Sequence, residues 1–354
     1  MPSPVVRAYR ALVFAVIALF LSAGLARADL VWTPQGGWRT EGGVLSGLVG
    51  DDATNALELM NRARAAEEAG SARAAIKDYD RVTRRYVNSL YAAEAYYRMA
   101  HLRLSRQQYF KAFEAFQVLV SRYPNTPRFN EIVGEQYRIA SALLDGARNR
   151  MLGFIPSFKA PDRAIIYYEQ ILVNAPYSDY APLALMNIAR AHQQMDSDAE
   201  AIDALDRMIN FYPQNLLAPD AYLKLAQTHA SLVDGPAYDQ AATREAITYF
   251  EDFMILFPSD SNVAEAERGL GDMRQMLAES KMRIADFYFN RRSNYKAARV
   301  FYNEAITVYP DSTIAAEARE KLARLDAEEA RRASTAPANG GGTSAPRRKF
   351  LGLF

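Results

Sequence analysis

The sequence predicts an all-α solenoid of about six helix pairs, and three observations predict it. First, a helix-stop motif recurs at Pro124, Pro176, Pro213, Pro258 and Pro310, and Val87 fills the same slot without the proline. The successive spacings are 37, 52, 37, 45 and 52, so the unit is 37 residues with insertions of about 15, 8 and 15. Proline stops a helix because it lacks the N–H and clashes with the preceding turn. Second, a small residue precedes each stop, at Ala75, Ala112, Ala164, Ala201, Ala246 and Ala298, with Tyr79, Phe116, Tyr168, Leu205, Phe250 and Tyr302 four residues later. That step puts both on one helical face. Third, the 354 residues are 50% hydrophobic and 23% charged, an ordinary globular mix with material for a core.

Taken in chain order, Met1 to Arg10 carries two arginines and no acid, Ala11 to Leu21 is apolar, and Ala26 and Ala28 give a small-x-small pattern. Residues 1–28 therefore read as an export signal cleaved after Ala28, with a retained anchor as the alternative. Eleven apolar residues are short for a bilayer span. Residues 29–52 form a Gly-rich arm with Trp32 and Trp38. It is either a strand-like or disordered leader, or a docking segment anchored by the two tryptophans. Residues 53–332 carry the helical pairs. In the first helices Ala100, Ala189 and Ala226 recur, and Ala100 to Ala112 and Ala189 to Ala201 are each twelve apart. Small residues there let paired helices approach closely.

An insertion at Asp145 to Asp162 holds Met151, Leu152, Phe154, Ile155 and Phe158. It is too apolar for a solvated loop, so it either folds back as a plug or offers a contact. Ser261 to Asn290 reads as one unusually long helix, interrupted only by Gly269 and Gly271. Residues 333–354 are a flexible low-complexity linker ending in a basic-aromatic peptide. There Arg347, Arg348, Lys349, Phe350 and Phe354 are either a disordered end or a short segment that docks on a partner or on anionic lipid.

Composition excludes several chemistries. The net charge is +1, which gives no basic excess for nucleic acid. There is no cysteine, hence no disulfide, thiolate zinc site or cysteine nucleophile. The three histidines, His101, His192 and His229, read as packing residues rather than a shared metal site, because equivalent sites on successive repeats lie at least one helix spacing apart. No nucleophile elbow and no strand-linked phosphate loop is present. No cofactor is expected, and nothing supports an enzyme.

The recurring small–aromatic–Pro arrangement at this period resembles the tetratricopeptide repeat. A single pair cannot bury its own face, so neighbours stack into a superhelix with a concave groove lined by the first helices. By periodicity Tyr97 and His101, Tyr137 and Ser141, and Met186 and Arg190 face that groove. Tyr and Arg are favoured interface anchors, and the alternative is that these residues pack between helices.

Longer stretches are more specific. Leu277-Ala278-Glu279, Ala285-Asp286-Phe287-Tyr288, Arg292, Tyr295-Lys296-Ala297-Ala298 and Tyr309-Pro310-Asp311-Ser312 resemble the late repeats of the BamD (ComL-type) family. Ala72 to Ala100 is similar to that family's first repeat running into its second. The resemblance implies a scaffold that helps assemble β-barrels into the outer membrane, in the periplasm and peripheral to that membrane. It implies two partners: a barrel-forming assembly protein with periplasmic domains, met by late-repeat residues such as Phe287, Tyr288, Arg292 and Tyr295, and unfolded outer-membrane protein segments, met by the early groove. Members of the family carry a lipid on an N-terminal cysteine, and this sequence has none. The alternative is a periplasmic adaptor of the Tol–Pal-associated type, but the coiled-coil leader usual there would need heptads that residues 29–52 lack.

Overall fold

The computed structural model describes residues 29–41, 51–151 and 155–335. Residues 1–28, expected to be an export signal, and Leu152, Phe154 and the terminal peptide with Arg347, Arg348, Lys349, Phe350 and Phe354 lie outside the described residues. Among those described are thirteen helices and two short antiparallel ribbons. The fold is the all-α repeat array, and the ribbons are its only strands among the described residues. The helices fall into two compact units, Met1–Ala191 and His192–Phe354.

The first unit opens with β1 (Asp29–Thr33) and β2 (Gly37–Glu41), paired Trp32 to Trp38. It continues with α1 (Asp51–Glu68), α2 (Ala72–Arg85), α3 (Tyr91–Ser105), α4 (Tyr109–Arg122), α5 (Phe129–Leu144), α6 (Pro161–Asn174) and α7 (Tyr180–Gln193), the last belonging to this unit through Ala191. The second unit holds α8 (Asp198–Phe211), α9 (Ala218–Ser231), α10 (Ala241–Leu256), α11 (Val263–Asn290), α12 (Tyr295–Val308) and α13 (Thr313–Thr335). Within the units α1 pairs with α2, α3 with α4, α5 with α6, α9 with α10 and α11 with α12, and α13 packs on α12.

One device ends α2, α4, α6, α8, α10 and α12 alike. Tyr86, Tyr123, Ala175, Tyr212, Phe257 and Tyr309 all leave helical geometry with φ between −143° and −122°. Each still donates its N–H to the carbonyl four residues back, for example Tyr123 to Leu119 and Phe257 to Phe253. Proline follows in five cases and forces its predecessor out of the α region. Tyr86, followed by Val87, adopts the same turn without it.

The small–aromatic slots form the core. Ala75, Ala112, Ala164, Ala201, Ala246 and Ala298 are fully buried, as are Tyr79, Phe116, Tyr168, Leu205 and Tyr302, and Phe250 is nearly so. Where the aromatic is tyrosine, its hydroxyl meets a polar group on the pair's first helix. Tyr79 Oη donates to Glu67 Oε2 at 2.9 Å, Tyr168 Oη and Ser141 Oγ lie 2.9 Å apart, and Tyr302 Oη donates to Asp286 Oδ1 at 2.6 Å. A buried hydroxyl without such a partner would cost about 1–3 kcal/mol.

The 28-residue α11 carries two cores. Ala266 and Leu270 pack with Ala226, Ala246, Phe250 and Phe253, whereas Ala278, Met282 and Ala285 pack with Ala298, Tyr302, Ala318 and Leu325. At 1.5 Å per residue the helix is roughly 42 Å long, enough to serve two neighbouring pairs.

The 145–162 insertion is fastened to the first unit through polar groups. Arg150 N–H donates to Gln107 O at 2.8 Å, and the buried Asn149 accepts from Phe110 N–H at 3.2 Å, which fastens the loop to the turn between α3 and α4. The loop makes its own small ribbon, β3 (Arg150–Met151) with β4 (Ile155–Pro156). Beyond it Phe158 stands 92% exposed.

Candidate functional site

In the first unit the first helices of successive pairs lie side by side and share polar contacts. Arg98 on α3 bonds Glu94 at 2.8 Å and reaches Glu67 on α1 at 3.6 Å. Glu94 also holds Arg128, at the start of α5, at 2.5 Å. Tyr97 Oη donates to Glu131 Oε1 at 2.5 Å, and the Arg128 guanidinium covers the Tyr97 ring at 4.4 Å. Asn187 on α7 donates to Tyr137 Oη on α5 at 2.8 Å. Arg190 pairs with Asp145 at 2.9 Å. The result is a contiguous first-helix face, rich in tyrosine, arginine and glutamate. At its α5–α7 end a cavity of about 480 Å³ is lined by Asn130, Glu131, Tyr177, Ser178, Asp179 and Tyr180.

The residues expected to line a groove sit on this face, in separate groups. Tyr97 and His101 touch edge to face at 4.5 Å, and the His101 ring also meets Phe116 at 5.3 Å. Tyr137 lies between Tyr168 and Tyr180, at 5.7 and 5.4 Å. Ser141 is committed to Tyr168. Met186 is half-buried, and Arg190 is exposed. Tyr97 and Tyr137 are thus both packing and surface residues. Burial, then the hydrogen bond to Glu131, pushes the Tyr97 hydroxyl up to about 12. It stays a neutral donor at physiological pH.

Sequence reading missed the ion pairs that tie the face together. The signal was present, since the Glu94–Arg128 ion pair and the Tyr97–Glu131 hydrogen bond each span 34 residues, close to one repeat. It also missed how the two tryptophans are used. Trp38 is only 4% exposed. Its N–H donates to Asn61 Oδ1 on α1 at 2.7 Å, and Arg98 lies over its ring at 5.5 Å. Arg64 covers Trp32 at 4.4 Å.

In the second unit the late-repeat residues form an aromatic group where α11 meets α12. Tyr288 stacks on Phe301 at 5.6 Å with ring planes 3° apart, and Tyr295 meets Phe289 at 5.6 Å under the Arg332 guanidinium. These contacts hold the helix junction. Phe287 is different, for it is 46% exposed, edge-on to Tyr288, with Arg292 over it at 5.4 Å. Phe287 and Arg292 are therefore the outward members of the four.

All three histidines are half-buried. Burial holds the His101 imidazole below its ordinary value against the pull of Glu135 and Glu131, and His229, stacked on Tyr249 at 5.4 Å, is lowered by burial too. A base whose folded-state value is lowered takes up its proton more readily when unfolded. Its contribution to stability is complete above about pH 6.5 and is lost as the pH falls from there through the lower folded-state value. The melting temperature is expected to drop as the pH is taken below about 6.5, and His101→Gln is expected to flatten part of that slope, with His229 supplying a remainder. An unchanged slope in the variant would remove His101 as a source.

Among the described residues no helix is long and apolar enough to cross a membrane. Residues 90–126, spanning α3 and α4, match a tetratricopeptide repeat profile, and residues 159–336 match the profile described as YfiO, outer membrane lipoprotein. The chain is similar to the outer membrane protein assembly factor BamD of Caulobacter vibrioides, 30% identical over 128 residues, which cover 36% of this chain and 42% of that one. It is similar to the BamD of Xylella fastidiosa strain 9a5c, 23% identical over 159 residues, with 42% and 54% covered. The chain spans about half the length of these curated relatives. Among solved structures it resembles MamA at 18% identity, covering 62% of this chain and 92% of that one with a TM-score of 0.31. With the YfiO profile matched over half of its length, from the end of the insertion through α13, the chain belongs to the YfiO family, which its BamD relatives share.

Proposed function

We propose that the protein is a periplasmic tetratricopeptide scaffold, without catalysis of its own, that takes part in assembling β-barrel proteins into the outer membrane. The observation that carries this reading is the family match across 159–336, which includes the exposed Phe287–Arg292 pair. In this reading that pair meets a periplasmic domain of a barrel-forming assembly protein. The first-helix face of the first unit, with Tyr97, His101, Tyr137, Met186 and Arg190, receives extended segments of unfolded outer-membrane proteins. Because ion pairs and packing already fix the face, binding orders little of the scaffold itself. Export by residues 1–28 and contact with the membrane through the terminal basic-aromatic peptide complete the proposal.

Affinity purification of tagged protein from native envelopes, followed by mass spectrometry, tests it. Recovery of a barrel-forming assembly protein supports the reading, and its absence sinks it. Phe287→Ser is expected to weaken that recovery about tenfold, roughly 1.4 kcal/mol and typical of an exposed aromatic anchor. The melting temperature should hardly change, because Phe287 is not part of the core. Undiminished recovery would move the contact elsewhere.

A further inference from the structure

We propose that the Asp29–Glu41 ribbon is a built-in occupant of the first stretch of the first-helix face and leaves it when an extended polypeptide binds there. The inference rests on the assembly reading above, and it concerns how access to the same site is controlled.

The ribbon occupies ground that belongs to the face. Trp38 is buried against α1 while its ring lies under Arg98 of α3. Arg98 is the residue that joins Glu94 to Glu67, and it directly follows Tyr97 on α3. Trp32 lies against Arg64, one turn from Asn61 on α1. The ribbon is extended chain, and Asn61 holds it through a backbone N–H. A side-chain amide that accepts from main chain grips any extended segment, whatever its sequence.

The hold is also of a releasable kind. A two-stranded ribbon has marginal stability alone. Its contacts with the helices include a hydrogen bond from Trp38, a buried indole and cation–π contacts with Arg64 and Arg98. The Trp38 indole Nε1 is buried with no hydrogen-bond partner among the described residues. That unmet donor works against the docked state. An occupant docked about nine-tenths of the time weakens a competing ligand about tenfold.

Trp32 and Trp38 are the two tryptophans of the whole chain, so with a probe whose own tryptophans are replaced by phenylalanine, tryptophan emission reports on the ribbon alone. The probe is a urea-unfolded outer-membrane β-barrel polypeptide, fluorescently labelled and diluted into the full chain. Saturation is expected to shift tryptophan emission to the red as Trp38 enters water. Trp38→Ala is expected to tighten probe binding about tenfold, with helical content unchanged by circular dichroism. Binding with unaltered emission would overturn the proposal. So would Trp38→Ala binding that is equal or weaker, since the ribbon would then be a cap or part of the receiving surface. Those two outcomes leave the assembly reading standing. Failure of every form to bind the probe removes both.

Discussion

Ala112→Trp is expected to lower the melting temperature by roughly 6–12 °C, on a cost of about 3 kcal/mol for overpacking and about 2–4 °C per kcal/mol in a chain of this size. Ala112 is fully buried on α4, one turn before the equally buried Phe116. Its pair partner α3 brings the fully buried Ala100 to the same interface. At that approach an indole has nowhere to go without separating α3 from α4. The damage should spread to nearest neighbours, because each pair of a repeat array is stabilised by the pairs beside it. Hydrogen exchange is expected to quicken in α3 to α6 before it quickens in the second unit. Lys111→Trp, one residue away and exposed, is the control, with an expected cost below about 0.5 kcal/mol. Equal melting temperatures for wild type and Ala112→Trp would mean that the small-residue register is wrong.

That register was legible because it is written six times. A small residue and a bulky residue four positions later, followed by a stop, leave little choice of buried face once helices are assumed. The stop itself is more general than its marker. Tyr86 turns out of α2 with Val87 behind it, so the hydrogen bond back to Val82 and the packing around it suffice, and proline only reinforces them. The long helix was legible for the opposite reason, since nothing between 263 and 290 stops it.

The ribbon shows what the sequence reading left out. Leu30-Val31-Trp32-Thr33 and Gly37 to Glu41 flank a Pro-Gln-Gly turn, which is a hairpin signal. Gly37 sits at φ +65°, and a Cβ there would meet Asn61 Oδ1 at 2.7 Å, so glycine serves both the turn and the close approach to α1. A strand-like leader was among the expectations. What no local pattern gives is its docking, because Arg64 and Arg98 lie on helices 32 and 60 residues beyond the tryptophans they cover. The site divides in the same way. Tyr97 and Tyr137 follow from helical periodicity, whereas the Glu94–Arg128 pair depends on how one repeat is set against the next. Only the 34-residue separation hinted at it.

The two glycines of α11 are expected to respond to alanine with opposite signs. In an exposed helix interior Gly→Ala gains about 1 kcal/mol from backbone entropy alone. At Gly271 that gain should be realised, since the nearest atom to a new Cβ is Tyr309 Oη at 3.5 Å, an ordinary contact. At Gly269 a Cβ would stand 2.4 Å from Phe250 Cζ, with two more ring carbons at 2.8 and 2.9 Å. Phe250 is 3% exposed and packed among Ala246, Phe253, Ala266 and Leu270, so its ring cannot swing into solvent. Overpacking of this kind costs about 1–3 kcal/mol, which exceeds the propensity gain and leaves Gly269→Ala less stable by about 1–2 kcal/mol. The two variants should therefore differ by about 2–3 kcal/mol in urea denaturation although they lie two positions apart on one helix. Phe250→Leu makes room for the methyl. The double variant is expected to be more stable than the sum of its parts by at least about 0.5 kcal/mol, the coupling of residues in contact. Stabilisation by Gly269→Ala, or strict additivity with Phe250→Leu, would show that α10 and α11 do not meet through this ring.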